Sequence, residues 1–380
     1  MKQRRRHTKP KKKFVERSLE FAIDNMDSLG QGVAKIDNKP CFIPKTLPGE
    51  TGVATLTKAS KGVMFARLKS LDITADNREE PACVHFENCP GCHYLHTDYQ
   101  SELMYKQQAL GHHLKRLAAP IPEIEMVPAE QRLGYRNRIQ LHYRHKYIGM
   151  IDGVTNNVLE IPECLAIDER LRTAFDELYN DKSWTEDHEG NGHCELYLTE
   201  DSVGVEWDKP YAHGGFSQVN EAMNGVLREA VLKTLKDDEV GTLLDLFSGE
   251  GNLSDPIVES NDAIERVMVD YAPERVKQES LNFIHLDLFS ETSLRAFKAR
   301  CEHKQFDVIL VDPPRKGFND LALWVKALKP KKLIYVSCNP ATMVRDLQQL
   351  SGKYIIEQIS LIDLFPGTYH YETLVTITFD

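Results

Sequence analysis

Two patterns of apolar and polar positions divide the chain. Between residues 14 and 72, short alternating runs are broken by glycine and proline. Examples are Gly30-Gln-Gly-Val-Ala34, Cys41-Phe-Ile-Pro44 and Gly52-Val-Ala-Thr-Leu56, with Pro48-Gly49 marking a turn. No helical period runs through them, so a small β-barrel is expected. From about residue 225 the runs become continuously apolar. Val240-Gly-Thr-Leu-Leu-Asp-Leu-Phe247, Glu265–Asp270, Asn282–Leu286, Phe306–Asp312, Lys332–Ser337, Tyr354–Ser360 and Glu372–Thr378 read as strands. Helical or loop segments separate them, beginning with Glu221–Lys236. Strands buried on both faces with crossover helices predict an α/β, mostly parallel, doubly wound domain.

The middle of the chain mixes the two periods. A helix is expected over residues 98–118, capped by Asp98. In Asn137-Arg-Ile-Gln-Leu-His-Tyr-Arg144, Ile139, Leu141 and Tyr143 share one strand face. Arg138, Gln140, His142 and Arg144 share the other, which the alternation predicts to be solvated and basic. With Arg132, Arg136 and Lys146 nearby, this stretch is a candidate RNA-facing surface as well as an ordinary solvated face. The expected division is therefore a basic tail over 1–13, a barrel over 14–72, a central α+β region over 73–215 and an α/β domain over 216–380.

Composition and charge narrow the function classes. Apolar residues make up 41% and charged residues 27% of 380 residues, as in a globular protein. No apolar run has membrane-spanning length, and the basic N-terminus lacks the apolar stretch of a secretory signal. A cytoplasmic protein with no membrane partner is expected. The net charge is −10, yet residues 1–16 carry eight basic side chains against Glu16. That tail suits a phosphate-binding arm or a solubilising extension. The acidic remainder argues against non-specific coating of nucleic acid, so any RNA binding must use local patches.

Candidate chemistry gathers at the ends of the C-terminal strands. The first strand runs into Asp245-Leu-Phe-Ser-Gly-Glu-Gly-Asn-Leu253, where Gly249 and Gly251 allow a tight turn against a ligand. The next strand ends in Asp270, positioned for ribose hydroxyls, and Asp287 follows the third. The turn lacks the third glycine of a dinucleotide fingerprint and the Lys-Ser/Thr pair of a phosphate loop. S-adenosylmethionine, which has no pyrophosphate, fits it better. Asp312-Pro-Pro-Arg-Lys-Gly317 holds an aspartate on a stiff exit, with Arg315 beside it. Cys338 ends an apolar strand in Ser337-Cys-Asn-Pro340, and Glu372 enters one in His370-Tyr-Glu-Thr373.

A thiolate is a strong nucleophile, and carbon 5 of a pyrimidine is a poor one. Attack by Cys338 on carbon 6 would let carbon 5 take a methyl group. Glu372 would then remove the carbon-5 proton, while Asp312 holds the uracil edge. Such a base must be flipped out of its stack to meet a thiol.

Eight cysteines without a secretory context do not suggest a disulfide framework. Cys83, Cys89 and Cys92 form a tight soft-ligand trio that lacks a fourth member. Cys164 and Cys194 both qualify by spacing, and His85, His93 and His96 admit a zinc reading.

Taken together, the Asp312–Gly317, Ser337–Pro340 and His370–Thr373 motifs resemble those of the bacterial RNA uracil-5 methyltransferases. The resemblance extends over nearly the whole chain and is strongest to the 23S ribosomal RNA branch that carries an iron–sulfur cluster. It implies an N-terminal TRAM barrel, a central cluster-bearing region and a Rossmann-like S-adenosylmethionine-dependent methyltransferase domain. It implies Cys338 as nucleophile and Glu372 as proton acceptor. Phe216-Ser-Gln-Val-Asn220 matches a further signature, placing Gln218 near the donor, and Phe247, Asn252, Asp270 and Asp312 match donor-pocket positions. It selects Cys83, Cys89, Cys92 and Cys164 as ligands of a [4Fe-4S] cluster. The position of Asp287 is usually asparagine in the family, and the 270–283 stretch is short, which bears on the adenine side of the pocket. The implied substrate is 23S ribosomal RNA, with no obligate protein partner. A non-catalytic RNA-binding module needs neither Cys338 nor Glu372. A radical enzyme would show a more compact cysteine trio.

Overall fold

The computed structural model describes residues 17–213, 217–271 and 282–379. The basic tail, Phe216 and most of the short stretch after Asp270 lie outside the described residues. The chain divides into two compact units, Met1–Arg78 and Glu79–Asp380.

The first unit is a closed five-stranded barrel. Strands β1 (Ser18–Met26), β2 (Gln31–Ile36), β3 (Lys39–Pro44), β4 (Thr51–Ala59) and β5 (Met64–Ile73) close in the order β1-β2-β3-β5-β4. Alternation explains its core. Leu19, Phe21 and Ile23 point inward from β1 and meet Ala34, Cys41, Ile43, Ala54, Met64 and Ala66.

The second unit begins with the cysteine-rich segment and helix α1 (Tyr99–Leu114), whose N-cap Asp98 accepts a 2.7 Å hydrogen bond from Ser101 N. Strand β6 (Ile124–Val127) follows. Strands β7 (Arg138–Arg144), β8 (Tyr147–Ile151) and β9 (Val158–Leu159) come next, then helices α2 (Arg172–Asn180) and α3 (Trp184–Asp187). With β10 (Asn191–Leu198) and β11 (Val203–Trp207) they make a five-stranded sheet, β11-β10-β7-β8-β9.

One expectation fails here. Arg138 is 2% exposed, donates to Glu195 at 2.9 Å and lies over the Tyr197 ring at 4.7 Å. The solvated basic face does not extend to it. Alternation assigns a residue to a face but cannot say that a buried acid waits on the neighbouring strand.

The rest is an α/β layer structure. Helix α4 (Glu221–Lys233) leads into β12 (Thr242–Leu246), α5 (Asp255–Ser260), β13 (Glu265–Asp270), β14 (Phe283–His285), α6 (Ser293–Arg300) and β15 (Val308–Val311). Helix α7 (Leu321–Leu328), β16 (Lys332–Ser337), α8 (Pro340–Leu347), β17 (Tyr354–Ile362) and β18 (Glu372–Phe379) complete it. The sheet order is β14-β13-β12-β15-β16-β18-β17-β6. Strands β14 to β16 are parallel, β18 runs antiparallel to β16 and β17, and β6 pairs parallel with β17.

Both faces are covered, as the unbroken apolar runs require. Leu244, Leu246, Ile309, Val311 and Tyr335 pack with Leu110, Phe297 and Trp324 on one side. Leu243, Leu310, Ile334 and Val336 pack with Leu227 and Val231 of α4 on the other. The sequence pattern shows nothing of β6 as an edge strand here, because its pairing depends on a distant segment. Among the described residues, no helix is long and apolar enough to cross a membrane.

Candidate active site

Sheet register brings the three candidate groups to one edge. Parallel strands β15 and β16 pair Val311 with Tyr335, so Asp312 and Cys338 both follow strand ends on the same side. Antiparallel β18 pairs Thr373 with Ser337, which puts Glu372 and Cys338 one step beyond the same rung. The carboxyl edge of a parallel sheet is where such sites assemble.

The loops around the thiol are tied together. Asn339 caps α8 by accepting from Ala341 N at 3.2 Å, and its Nδ2 donates to Arg315 O at 2.8 Å. Ser337 Oγ accepts from Asn339 N at 3.0 Å. The turn after Asp312 is fixed from below by Asp346, which is fully buried. Its Oδ2 accepts from Phe318 N at 2.6 Å and from the Tyr335 hydroxyl at 2.8 Å. Gly317 has φ +73°, and a Cβ there would lie 2.5 Å from Asp346 Oδ2, so glycine is required.

Burial and like charge dominate the electrostatics. Glu372 is 4% exposed, its Oε2 has no hydrogen-bond partner, and its pKa is raised well above the usual glutamate value. Burial is the main cause and the Asp312 carboxylate adds to it, while Arg315 opposes both. Asp312 is raised to about 7 by burial and by Asp245. The Cys338 thiol is pushed up to about 12 by burial, then by Glu372 and Asp312. The resting thiol therefore keeps its proton, and forming the nucleophile requires a nearby acceptor. His370 is lowered to about 4, first by burial and then by Arg315, whose guanidinium lies 3.4 Å from its Nε2.

Beside this edge lies the glycine turn. Phe247 adopts φ +62°, Gly249 +52° and Gly251 +91°. Gly249 N donates to Asp270 Oδ2 at 2.8 Å, so the turn is locked to the end of β13. Asn252 exchanges amide hydrogen bonds with Asn224 at 2.9 Å. The Phe247 ring packs against Phe289 and Phe318. Gln218 is half-buried, and its carbonyl accepts from Asn137 Nδ2 at 2.9 Å. Asp287 is exposed and caps a turn by accepting from Phe289 N at 2.9 Å.

Asp245, at the end of β12, escaped the sequence reading. It is 3% exposed, its Oδ2 has no partner, and burial raises it to about 7. An orphaned acid beneath a glycine turn suits a cationic, hydroxyl-bearing ligand such as S-adenosylmethionine. The signal was its place ahead of the Gly249–Gly251 turn.

The cysteines gather separately. Cys83, Cys89, Cys92 and Cys164 line one cavity of about 210 Å³ with Arg136, Ile139, Met150 and Ile161. Cys194 is fully buried in the apolar core beneath the five-stranded sheet and does not line that cavity. Among the described residues, no group of three or more His, Cys, Asp or Glu side chains is arranged around a single-ion site. The four thiols that line this one cavity are soft donors suited to a metal centre.

The basic candidates separate in the same way. Arg132 binds Glu102 at 2.8 Å and Tyr94 O at 2.7 Å, and Arg138 is buried against Glu195. Arg144 donates to Asn156 O at 2.9 Å, while Lys146 and Arg315 are exposed.

The model for tRNA (Uracil-5-)-methyltransferase matches residues 204–379, and the TRAM domain model matches residues 17–69. The 23S rRNA (uracil(1939)-C(5))-methyltransferase RlmD of Shewanella frigidimarina is 27% identical over 446 aligned positions, covering 96% of each chain. The protein of the same name from Vibrio vulnificus is 29% identical, covering 97% of this chain and 98% of its own. The Pyrococcus abyssi tRNA (uracil-54, C5)-methyltransferase, solved with S-adenosyl-L-homocysteine, shares the fold. Its TM-score is 0.72 at 20% identity, covering 95% of this chain and 100% of that one.

Fold and matches together define a class I S-adenosylmethionine-dependent methyltransferase with an OB-like TRAM barrel. Its reaction is methylation of uracil carbon 5 in RNA. The chain is similar to the TRAM-containing RNA uracil-5-methyltransferases in both of the stretches that the two family models match.

Proposed function

We propose that this enzyme methylates carbon 5 of a specific uridine in 23S ribosomal RNA through a covalent adduct between Cys338 and uracil carbon 6. The observation that carries the mechanism is the shared rung of the sheet from which Cys338 and Glu372 emerge, with Asp312 on the neighbouring strand end. The names of relatives aligned over 96–97% of the chain support the 23S substrate.

When bound, S-adenosylmethionine supplies an electrophilic methyl group on its sulfonium. Gln218, Phe247, Gly249, Gly251, Asn252, Asp270, Asp287 and Asp312 are the residues that would hold it. Cys338 gives up its proton to the ionised Asp312 carboxylate and adds to carbon 6, and the electron pair of the carbon 5–carbon 6 double bond moves into an enolate at carbon 4. Asp312, protonated, donates to the uracil edge and stabilises that charge. Carbon 5 takes the methyl group. Glu372, in its ionised form, then accepts the carbon-5 proton, the double bond re-forms, and Cys338 leaves as thiolate. Arg144, Lys146 and Arg315 are the candidate RNA contacts, whereas Arg132 and Arg138 serve internal acids and Arg136 lines the cysteine cavity.

Cys83, Cys89, Cys92 and Cys164 would hold a [4Fe-4S] cluster, which has no part in these steps. Anaerobically prepared protein should show a visible absorption band with matching iron and sulfide. A colourless protein holding zinc would reject the cluster.

The function is tested with labelled methyl donor and transcribed 23S RNA or tRNA, followed by nucleoside analysis. Labelled 5-methyluridine in 23S RNA is the expected result. Label in tRNA alone selects the tRNA substrate named by the matching family model. Label in neither overturns the proposal.

A further inference from the structure

Segment 363–371 joins β17 to β18 and delivers His370 and Glu372 to the site. Within it, Thr368 Oγ1 donates to Phe365 O at 2.9 Å, and His370 N donates to Thr368 Oγ1 at 3.2 Å. Its other anchors come from far along the chain. His93 N and Tyr94 N donate to Gly367 O at 2.7 and 3.1 Å. The Tyr135 hydroxyl donates to Pro366 O at 2.9 Å, and Asn220 Nδ2 to Leu364 O at 3.2 Å.

At the centre is a buried ionic network. Lys106 of α1, 1% exposed, donates to Glu102 Oε1 and to Asp363 Oδ1, each at 2.7 Å, and to Phe365 O at 3.3 Å. Glu102 Oε1 also accepts from Gly367 N at 2.7 Å. The Tyr99 hydroxyl donates to Asp363 Oδ2 at 2.8 Å and accepts from Ala129 N at 2.8 Å. Arg132 closes the group on Glu102 Oε2.

A buried ion network is a weak route to stability, since apolar side chains of equal volume often serve as well. What it adds is direction: two carboxylates and one ammonium, fully paired, admit few arrangements of the backbone they hold. Three of its bonds land on residues 363, 365 and 367, just ahead of the site.

We infer that Lys106 is a positioning residue for proton removal: by joining Glu102 to Asp363 it sets the path of segment 363–371 and so the placement of Glu372. The inference rests on the reading of Glu372 as the base. It assigns a defined catalytic step to a helix that lies outside the methyltransferase motifs.

The test uses the full chain with transcribed 23S RNA tritiated at uridine carbon 5. Lys106→Met removes the ammonium and leaves two buried acids facing each other. Lys106→Met/Asp363→Asn removes that conflict and leaves Glu102 paired with Arg132, so it tests the position in a folded protein. Formation of the RNA adduct should stay within about twofold of the native rate. Tritium release should slow by about tenfold to a hundredfold, so that adduct accumulates. Native release in the folded double variant, or equal loss of adduct formation and release, would overturn the inference. Glu372→Gln is run alongside. Native release in that variant removes the base assignment and the inference with it. Blocked release there, with native release in the Lys106 variants, removes the inference alone.

Discussion

Asp346 is a demanding test of how the site is held. Replacing it with alanine leaves the Phe318 N–H and the Tyr335 hydroxyl, now 2.6 and 2.8 Å from its Oδ2, without an acceptor. Each orphaned donor costs about 1–3 kcal/mol in a buried setting. Arg345, paired to Oδ1, is 37% exposed and can turn to water, so it adds little. The total is about 2–6 kcal/mol, a large share of the roughly 5–15 kcal/mol that holds a typical domain together. Urea unfolding should record it as a lower midpoint. In a cycle with Tyr335→Phe, the double variant should recover about 1–3 kcal/mol, because the hydroxyl is then no longer stranded. Turnover should fall too, since Asp346 anchors the turn between Asp312 and Phe318. An unchanged midpoint for Asp346→Ala, or strict additivity in the cycle, would refute the reasoning.

Glu372→Gln should lower turnover by about 10²–10⁴-fold while allowing adduct to build up. It should also stabilise the fold at neutral pH. The native glutamate, raised by burial and Asp312, keeps its proton in the folded state at pH values where the unfolded chain has lost it, so stability falls as pH rises through that window. Melting curves from pH 8 down to 4.5 should show the gain shrinking toward zero, and a gain that grows on acidification would contradict the sign. Because the Cys338 thiol titrates near 12, adduct formation should rise with pH between about 7 and 9, and a flat profile would count against a thiolate nucleophile. Gly251→Ala places a Cβ 2.7 Å from Asp255 Oδ1 at φ +91°. Strain of about 1–3 kcal/mol should weaken S-adenosylhomocysteine binding by about tenfold or more in calorimetry, and native affinity would show that the turn tolerates it.

The legible parts of the molecule are those that local patterning controls. Leu243 and Leu244 face opposite sides of the sheet because strand side chains alternate, and both are buried because helices cover both faces. That arrangement appears in the sequence as an unbroken apolar run. The Asp98 cap was legible for the same reason, since a cap is a contact between near neighbours.

The sequence by itself determined the apolar strands of the α/β layer other than β6, the barrel's alternating core and the presence of a thiol and acids at strand ends. Only the tertiary structure decided which of them meet. Residues 338 and 372 meet just beyond the Ser337–Thr373 rung because β18 inserts antiparallel between β16 and β17, a choice of partner that no period encodes. Arg138 turned inward because Glu195 faces it from β10, and Lys106 is buried because Asp363 completes its pairing. Periodicity states how a segment divides between water and core. Which distant group satisfies a buried charge is a property of the assembled fold, where a missing partner costs several kcal/mol, on the order of 3–5.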